Sequence, residues 1–240
     1  MQDSLYVALS SQIALERRLN TIADNVANAG TVGFRATQIK FEDVLTGSGT
    51  SETAFVSTGG TFLSQAKGAF RATENPFDLA VRGDAWFALA TPAGQVMTRD
   101  GRFSMLQTGQ IVSVEGYPVL DAAGTPLQLD PASGAPVVSA DGFIRQNGQQ
   151  VGAFGLFSFD PGENFTRYGN SGVIANGTQQ PVVDRADTGV LQGYVEDSNV
   201  NPVMEMTRLI MVQRAFESAG SAIKQTEQTF TDAVKTLGSR

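Results

Sequence analysis

The sequence predicts an α+β protein in which helices at the two ends form an inner domain and a β-rich middle forms an outer domain. Two observations support this class. Apolar residues recur every three or four positions near both ends of the chain, which is the spacing of a coiled-coil seam. Twenty-two of the 26 glycines and eight of the nine prolines fall in the middle of the chain, where turn residues separate short apolar runs.

The N-terminal helix is predicted to run from about Ser4 to Ala29. Asp3 or Ser4 can cap its first turn, and Gly30 stands where a helix would end. Spacings of three and four place one narrow apolar stripe on this helix. The residues that we assign to its seam are Leu5, Leu15, Leu19, Ile22 and Val26, with Ala8 and Gln12 between them.

Residues 41–76 are predicted to be extended or linker, because Gly, Ser and Thr are frequent there. Residues 77–199 are predicted to form the β-rich outer domain, an antiparallel meander or a small barrel. Its clearest strands are 85–89, 111–114 and 154–159. Asn-Gly and Asp-Gly supply the positive φ angles of tight turns. Hairpin turns are therefore expected at Asp100-Gly101, Asp141-Gly142, Asn147-Gly148 and Asn176-Gly177.

The C-terminal helix is predicted to run from Pro202 to about Leu237. Asn201 is a good N-cap, and Pro202 suits the first helical position. A helix this long needs a partner, and we expect it to pair with the N-terminal helix and with copies of both helices in neighbouring subunits. Residues 1–40 and 200–240 thus form the inner domain. The seam residues are Leu209, Val212, Phe216, Ile223, Phe230 and Leu237.

Charge and composition limit the chemistry that the chain can perform. The net charge is −7, and residues 41–199 carry eight basic and 17 acidic side chains, so a nucleic-acid partner is not expected. The chain has no cysteine and no histidine, which excludes disulfides, thiolate or imidazole metal sites and the usual neutral-pH base. We predict no enzyme, no catalytic residue, no metal and no cofactor. No apolar run is long enough for a transmembrane segment, and no cleavable signal peptide is recognised.

Four segments, in order along the chain, resemble the axial rod and hook proteins of the bacterial flagellum. They are 23–35 (ADNVANAGTVGFR), 81–119 (with VRGDAWF, TRDGRF and GYPV), 140–144 (ADGFI) and 192–217 (with QGYVEDSNVN, EM and QRAFE). The sequence departs from the common pattern at Ala85, where Gly is usual, and at Met97, where Tyr is usual. Its length and Ala85-Trp86-Phe87 are most similar to members that build the proximal rod.

The resemblance implies an inner coiled-coil domain of paired terminal helices with a β domain outside. It also implies export through the flagellar type III apparatus. Subunits would then assemble with copies of themselves and with other axial rod proteins into the periplasmic rod that transmits torque for motility. The family motif is expected to mark the junction between the helices and the β body, at Asn25, Asn28, Thr31, Gly33, Phe34, Asn199 and Asn201.

Three alternatives remain open from the sequence. The first is a distal rod or other flagellar axial protein. The second is a carbohydrate-binding or carbohydrate-active β domain, because paired carboxylates perform glycoside hydrolysis. The third is a trimeric fibre or adhesin. The carboxylates that the second alternative would use are Asp78, Asp84, Asp100 and Glu115.

Overall fold

The structure, a computed structural model, describes residues 2–41, 43–46, 53–57, 59–175, 179–182 and 187–238. These residues form two long helices and many short antiparallel strands, which confirms the α+β class. The helices are α1 (Gln2–Ala27) and α2 (Pro202–Gly238), with a short 3-10 turn at Pro131–Ser133. The strands are β1 (Thr37–Lys40), β2 (Asp43–Thr46), β3 (Thr53–Val56), β4 (Gly60–Leu63), β5 (Phe70–Ala72), β6 (Leu79–Arg82), β7 (Phe87–Thr91), β8 (Gly94–Thr98), β9 (Phe103–Met105), β10 (Ile111–Ser113), β11 (Val137–Val138), β12 (Phe143–Gln146), β13 (Gln149–Ala153), β14 (Phe157–Ser158), β15 (Arg167–Tyr168), β16 (Gly172–Ile174), β17 (Gln180–Pro181), β18 (Gly189–Gln192) and β19 (Tyr194–Glu196).

The helix boundaries lie within two residues of the predicted ones. Helix α1 has 26 residues, or ~39 Å, and both of its ends fall two residues earlier than predicted. Helix α2 has 37 residues and starts at the predicted Pro202. The Oδ1 atom of Asn201 accepts hydrogen bonds from the backbone N–H groups of Val203 at 3.1 Å and Met204 at 3.2 Å, which confirms this N-cap. Neither helix, over the residues described, has a stretch long and apolar enough to span a bilayer.

The chain divides into two compact units. The helical unit comprises Met1–Ala27, Thr37–Phe62 and Asn201–Arg240, and the β unit comprises Asn28–Ala36 and Leu63–Val200. Both helices therefore belong to one unit. The segment 41–76, predicted to be extended or linker, carries strands β2 to β5.

In the helical unit, α1 contacts α2 and strands β1 and β3. Strands β2 and β3 form an antiparallel hairpin that pairs Asp43 with Val56 and Thr46 with Thr53. A Cβ atom placed on Gly220 of α2 would lie 3.8 Å from Nε2 of Gln12 on α1. Gln12, a member of the predicted α1 stripe, thus lies beside the middle of α2.

The described strands of the β unit form several small sheets, and none of them closes into a barrel. The largest has the order β15-β16-β8-β7, and β11-β12-β13 is a three-stranded meander. The prediction of a meander is therefore correct for one sheet, and the small barrel is wrong. The main apolar core of the β unit includes Leu79, Phe87, Ile111, Val119 and Ile144, which are almost fully buried.

The predicted turns have different outcomes. Asn147-Gly148 joins β12 to β13 with Gln146 paired to Gln149 and with positive φ at both turn residues, so this two-residue hairpin is confirmed. Asp141-Gly142 lies in the hairpin between β11 and β12, as predicted. Asp100-Gly101 is not a hairpin turn, because β8 pairs with β7 and β16 whereas β9 pairs with β10. Asn176-Gly177 lies outside the described residues.

Candidate functional site

One face of α1 carries the predicted seam and a second face carries exposed apolar side chains. Ile22 is buried, and Leu15, Leu19 and Val26 are half-buried. The side chain of Leu5 lies outside the part of the chain that the structure describes. Leu9 and Ile13, one helical turn apart, are about half exposed. Helix α1 therefore has an apolar pair that the described residues of its own chain do not cover.

Helix α2 likewise has a covered seam face and exposed apolar faces, and among the described residues more apolar side chains are exposed on it than on α1. Val212 is buried, and Leu209, Phe216 and Ile223 are half-buried, so these seam positions face the chain's own residues. The side chains of Phe230 and Leu237 are not among those described. Large apolar side chains on the other faces of the first three turns are more than half exposed. They are Val203, Met204, Met206, Ile210 and Met211.

The side chain of Asn25 and the backbone of Thr37 form two reciprocal hydrogen bonds within the helical unit. Nδ2 of Asn25 donates to the Thr37 carbonyl at 3.0 Å, and the Thr37 N–H donates to Oδ1 of Asn25 at 2.9 Å. The buried asparagine thus satisfies both backbone groups at the start of β1. A few residues later, the Asn28 side chain accepts a hydrogen bond from Oγ1 of Thr31 at 3.2 Å. This contact supports the turn that follows α1.

Gly33 and Phe34 lie inside the β unit. Gly33 has φ +70°, and a Cβ atom there would come within 2.2 Å of the backbone N of Asp100, so no other residue fits without a shift of the backbone. Its N–H donates to the Glu196 carbonyl at 2.7 Å. Phe34 is almost fully buried, and the Arg167 guanidinium lies 4.3 Å from the centre of its ring.

Asn199 joins the segment around Phe34 to a neighbouring segment of the β unit. Its Oδ1 accepts a hydrogen bond from the Ala36 N–H at 2.8 Å, and its Nδ2 donates to the Ala66 carbonyl at 2.6 Å. The Asn199 N–H donates to the Phe34 carbonyl at 3.3 Å. Of the predicted motif residues, Gly33, Phe34 and Asn199 therefore lie together. Asn25 and Asn201 serve separate positions in the helical unit.

The β unit also contains a buried cluster that we call the charged clamp. It consists of two cations, Arg35 and Arg99, one carboxylate, Glu196, and the ring of Trp86. Nη2 of Arg35 donates to Oε1 of Glu196 at 2.8 Å. Nε of Arg99 lies 3.2 Å from Oε2 of Glu196, an ionic contact without good hydrogen-bond alignment. The guanidinium carbons of Arg35 and Arg99 lie 5.9 and 5.6 Å from the centre of the Trp86 ring, within the range of a cation–π interaction.

Terminal NH groups of the two arginines also donate to backbone carbonyls, whereas Nε of Arg35 is buried without a hydrogen-bond partner among the residues described. Arg35 donates to the carbonyls of Gln65 and Ala66, and Arg99 donates to those of Gly83 and Ala85. Desolvation lowers the pKa of Arg99 to about 10, and the neighbouring Glu196 carboxylate opposes this shift. Desolvation likewise lowers the pKa of Arg35. The single carboxylate of Glu196 is therefore the main counter-charge for two buried cations.

The charged clamp was not predicted as a site from the sequence. Its members lie in three of the four segments that carry the family resemblance, but those segments are far apart along the chain. A buried charge leaves no periodic pattern in the sequence, and Glu196 follows a valine in an ordinary short strand. Nothing local indicates that this carboxylate meets two guanidinium groups.

Three of the four carboxylates of the carbohydrate alternative are paired with a neighbouring side chain. Asp100 accepts two hydrogen bonds from the Arg102 side chain, at 2.9 and 2.6 Å. Asp84 pairs with Lys67 at 2.9 Å, and Asp78 accepts a hydrogen bond from Asn75 at 3.0 Å. Asp100 and Glu115 line one open cleft of about 560 Å³, measured with the solvent at its mouth. In this cleft Arg102 holds the Asp100 carboxylate, and the other two carboxylates of the carbohydrate alternative, Asp78 and Asp84, do not line it.

Long helices with uncovered apolar faces and a β body held by buried charges are the features of a structural assembly subunit. Comparison with known proteins agrees with this class. Three family models match the chain in succession. They are "Flagella basal body rod protein" at residues 5–35, "Flagellar hook protein FlgE/F/G D1 domain" at 80–146 and "Flagellar basal body rod FlgEFG protein C-terminal" at 191–236.

Full-length relatives identify the family. "Flagellar basal-body rod protein FlgF" of Mesorhizobium japonicum is 63% identical over 240 residues, which is 100% of both chains. The protein of the same name from Rhizobium meliloti is 50% identical over 238 residues, 99% of each chain. "Flagellar basal-body rod protein FlgG" of Bacillus subtilis is 28% identical over 262 residues, 98% of each chain. The chain belongs to the flagellar basal-body rod protein family.

This membership confirms the predictions of a structural protein and of a flagellar basal-body location. The chain is a structural subunit of the flagellar basal-body rod, in agreement with the names of its relatives, and the prediction that it is not an enzyme follows from this family. The first and last family models coincide with the two helices and the residues next to them.

Proposed function

We propose that this chain is a subunit of the proximal rod in the periplasm, where it assembles with copies of itself and with other axial rod proteins. Two points support the proximal position. Relatives named FlgF are 36% to 63% identical to this chain, whereas those named FlgG are 27% to 30% identical. The length and the Ala85-Trp86-Phe87 segment resemble members that build the proximal rod. The distal rod is the second candidate.

The observation that carries the proposal is the uncovered apolar surface of α2. Five large apolar side chains are exposed within nine residues at its start. Contiguous apolar patches on a soluble subunit mark interaction sites. Leu9 and Ile13 give α1 an exposed apolar face of the same kind, so each subunit carries two such helix faces for its neighbours.

We propose that the predicted seam residues pair the helices as a coiled coil in the assembled rod. The seam positions of α2 that are described lie on the covered side of that helix. Phe230 and Leu237 continue the same seven-residue spacing to the end of the helix. In the rod, these last turns would complete the seam against helices of neighbouring subunits.

Export through the flagellar type III apparatus without a cleavable signal peptide is proposed from the family resemblance. Isolated helices are marginal until packing stabilises them. Terminal helices that gain their full packing only on docking would remain unfolded for passage through the export channel and would not assemble early.

The test is to locate the chain in purified basal bodies and to delete it. We expect the protein in the rod fraction, and we expect the deletion strain to stop assembly before the distal rod and hook appear. Basal bodies that carry a complete distal rod and hook in the deletion strain would contradict a proximal position. Absence of the chain from wild-type basal bodies would contradict the rod assignment itself.

A further inference from the structure

Half of the methionines in the chain lie in the first turns of α2. The sequence has six methionines, and three of them are Met204, Met206 and Met211. These side chains are 52%, 51% and 58% exposed, whereas Met97, in the β unit, is fully buried. The start of α2 is therefore a surface rich in accessible thioethers.

The three methionines belong to the uncovered apolar faces of α2. Met206 lies between Val203 and Ile210 at helical spacings of three and four, so these residues form one stripe. Met204 and Met211 lie seven residues apart, two turns along the neighbouring face. The proposed function assigns these faces to contacts with a neighbouring rod subunit, whose own α1 exposes Leu9 and Ile13. The inference below rests on that assignment.

Thioether sulfur is a target for peroxide. The sulfur lone pair attacks one oxygen of hydrogen peroxide, the O–O bond breaks, and that oxygen stays on sulfur as the sulfoxide. The other oxygen leaves as water, so methionine is oxidised and the peroxide is reduced by two electrons. The product is a polar side chain in place of an apolar one. A docking surface made of methionine is adaptable, but it loses its apolar character on oxidation.

We propose that Met204, Met206 and Met211 form an oxidation site that controls docking of the subunit. Hydrogen peroxide converts these thioethers to sulfoxides before assembly. The modified α2 face then fails to pack against the apolar helix face of the next subunit. The buried Met97 is protected, so the core around it keeps its apolar contacts while the assembly surface is lost.

The first experiment treats the purified full chain with hydrogen peroxide and follows each methionine by mass spectrometry. We expect a gain of about 16 Da at the three α2 positions, at rates about tenfold or more above that at Met97. Equal rates at the exposed and buried positions would overturn the proposal.

The second experiment uses cells whose only copy carries Gln or Leu at all three positions. Gln imitates the polarity and length of the sulfoxide, and Leu is the matched apolar control that cannot be oxidised. We expect peroxide to leave the amount of the Leu variant in purified basal bodies unchanged, and we expect about tenfold or more less of the Gln variant than of the Leu variant. Trp86 fluorescence confirms that the β unit of each variant is folded.

The outcomes separate this inference from the proposed function. A Gln variant found in basal bodies at the wild-type amount overturns the oxidation site and leaves the rod assignment intact. Wild-type chain absent from basal bodies overturns the rod assignment and the inference together. A peroxide pulse that reduces incorporation of newly made wild-type chain, but not of the Leu variant, supports the site directly.

Discussion

The Arg35 guanidinium and the Glu196 carboxylate form a buried ion pair at 2.8 Å between residues 161 positions apart. Their side chains are 5% and 1% exposed. The same carboxylate also faces Arg99 and accepts the Gly68 N–H at 3.0 Å. A single acidic side chain near the end of the β unit therefore holds segments from its beginning and its middle.

Replacing Glu196 by Gln should destabilise the β unit strongly. The change keeps the shape but leaves two buried guanidinium groups without their main counter-charge, which costs about 3–5 kcal/mol when a buried pair is broken. Urea unfolding followed by fluorescence of Trp86, the single tryptophan, measures the change. Asp197→Asn is the matched control, because Asp197 forms an exposed pair with Arg71 worth less than about 1 kcal/mol. Similar losses in the two variants would show that the charged clamp has no special role.

Gly33→Ala should also destabilise the β unit. The positive φ of Gly33 costs an L-residue about 1–3 kcal/mol, and the new Cβ atom would overlap the backbone N of Asp100. Gly30→Ala is the control, since a Cβ atom there meets nothing within 4 Å, and its effect should stay within about 0.5 kcal/mol. Denaturant midpoints of the two variants provide the test. Equal stability of both would contradict the close approach at Gly33.

Gly220→Ala should stabilise α2. Glycine in a helix interior costs about 1 kcal/mol relative to alanine. The added Cβ atom would lie at an ordinary contact distance from Gln12, so the space exists. We expect a higher melting temperature of the helical signal in circular dichroism. A lower one would mean that α1 and α2 approach each other more closely at this position than the structure shows.

Asp121 should contribute to the acid dependence of stability. Its carboxylate accepts hydrogen bonds from the N–H groups of Ala123 at 2.9 Å and Thr125 at 2.8 Å. Burial raises the pKa of Asp121, but the hydrogen bond from the Thr125 hydroxyl at 2.6 Å, together with these backbone bonds, outweighs burial and holds the pKa below its usual value.

A carboxyl group whose pKa is lower in the folded state than in the unfolded state stabilises the fold. This stabilisation is complete at pH values above the unfolded-state pKa of about 3.9, and it is lost as the pH falls through the folded-state pKa. Asp121→Asn should therefore reduce stability at neutral pH and flatten the decline below about pH 5. Urea midpoints from pH 7 to pH 3 test this. A constant difference between variant and wild type over that range would contradict it.

The sequence predicted the helices well because their signals are local. The dipeptide Asn201-Pro202 marks the start of α2, and the glycine after Ala29 marks the region where α1 ends. The Asn147-Gly148 hairpin was predictable for the same reason, since its two residues alone determine the turn. Asp100-Gly101 has the same local signal, but β8 pairs with β7, the strand before it, and β9 pairs with β10, the strand after it. The chain forms these two neighbouring hairpins, and Asp100-Gly101 lies in the connection between them.

The charged clamp was beyond prediction because it depends entirely on long-range packing. Arg35, Arg99 and Glu196 each sit in a sequence context that would equally suit a solvated side chain. Only the folded β unit places them around Trp86. The exposed faces of the helices were also not distinguished in advance, because a seven-residue repeat identifies the seam and not the surfaces that remain outside it.

The central claim is that the terminal helices build this chain into the rod, and Phe216→Asp tests it most directly. Phe216 is a half-buried seam position of α2, and Phe216→Leu is the apolar control. The measurement is the amount of chain in purified basal bodies, together with motility and with Trp86 fluorescence as a check on the β unit. We expect the Asp variant to be folded in its β unit but missing from basal bodies, in non-motile cells, while the Leu variant behaves as wild type. Normal motility and normal incorporation of the Asp variant would contradict the account.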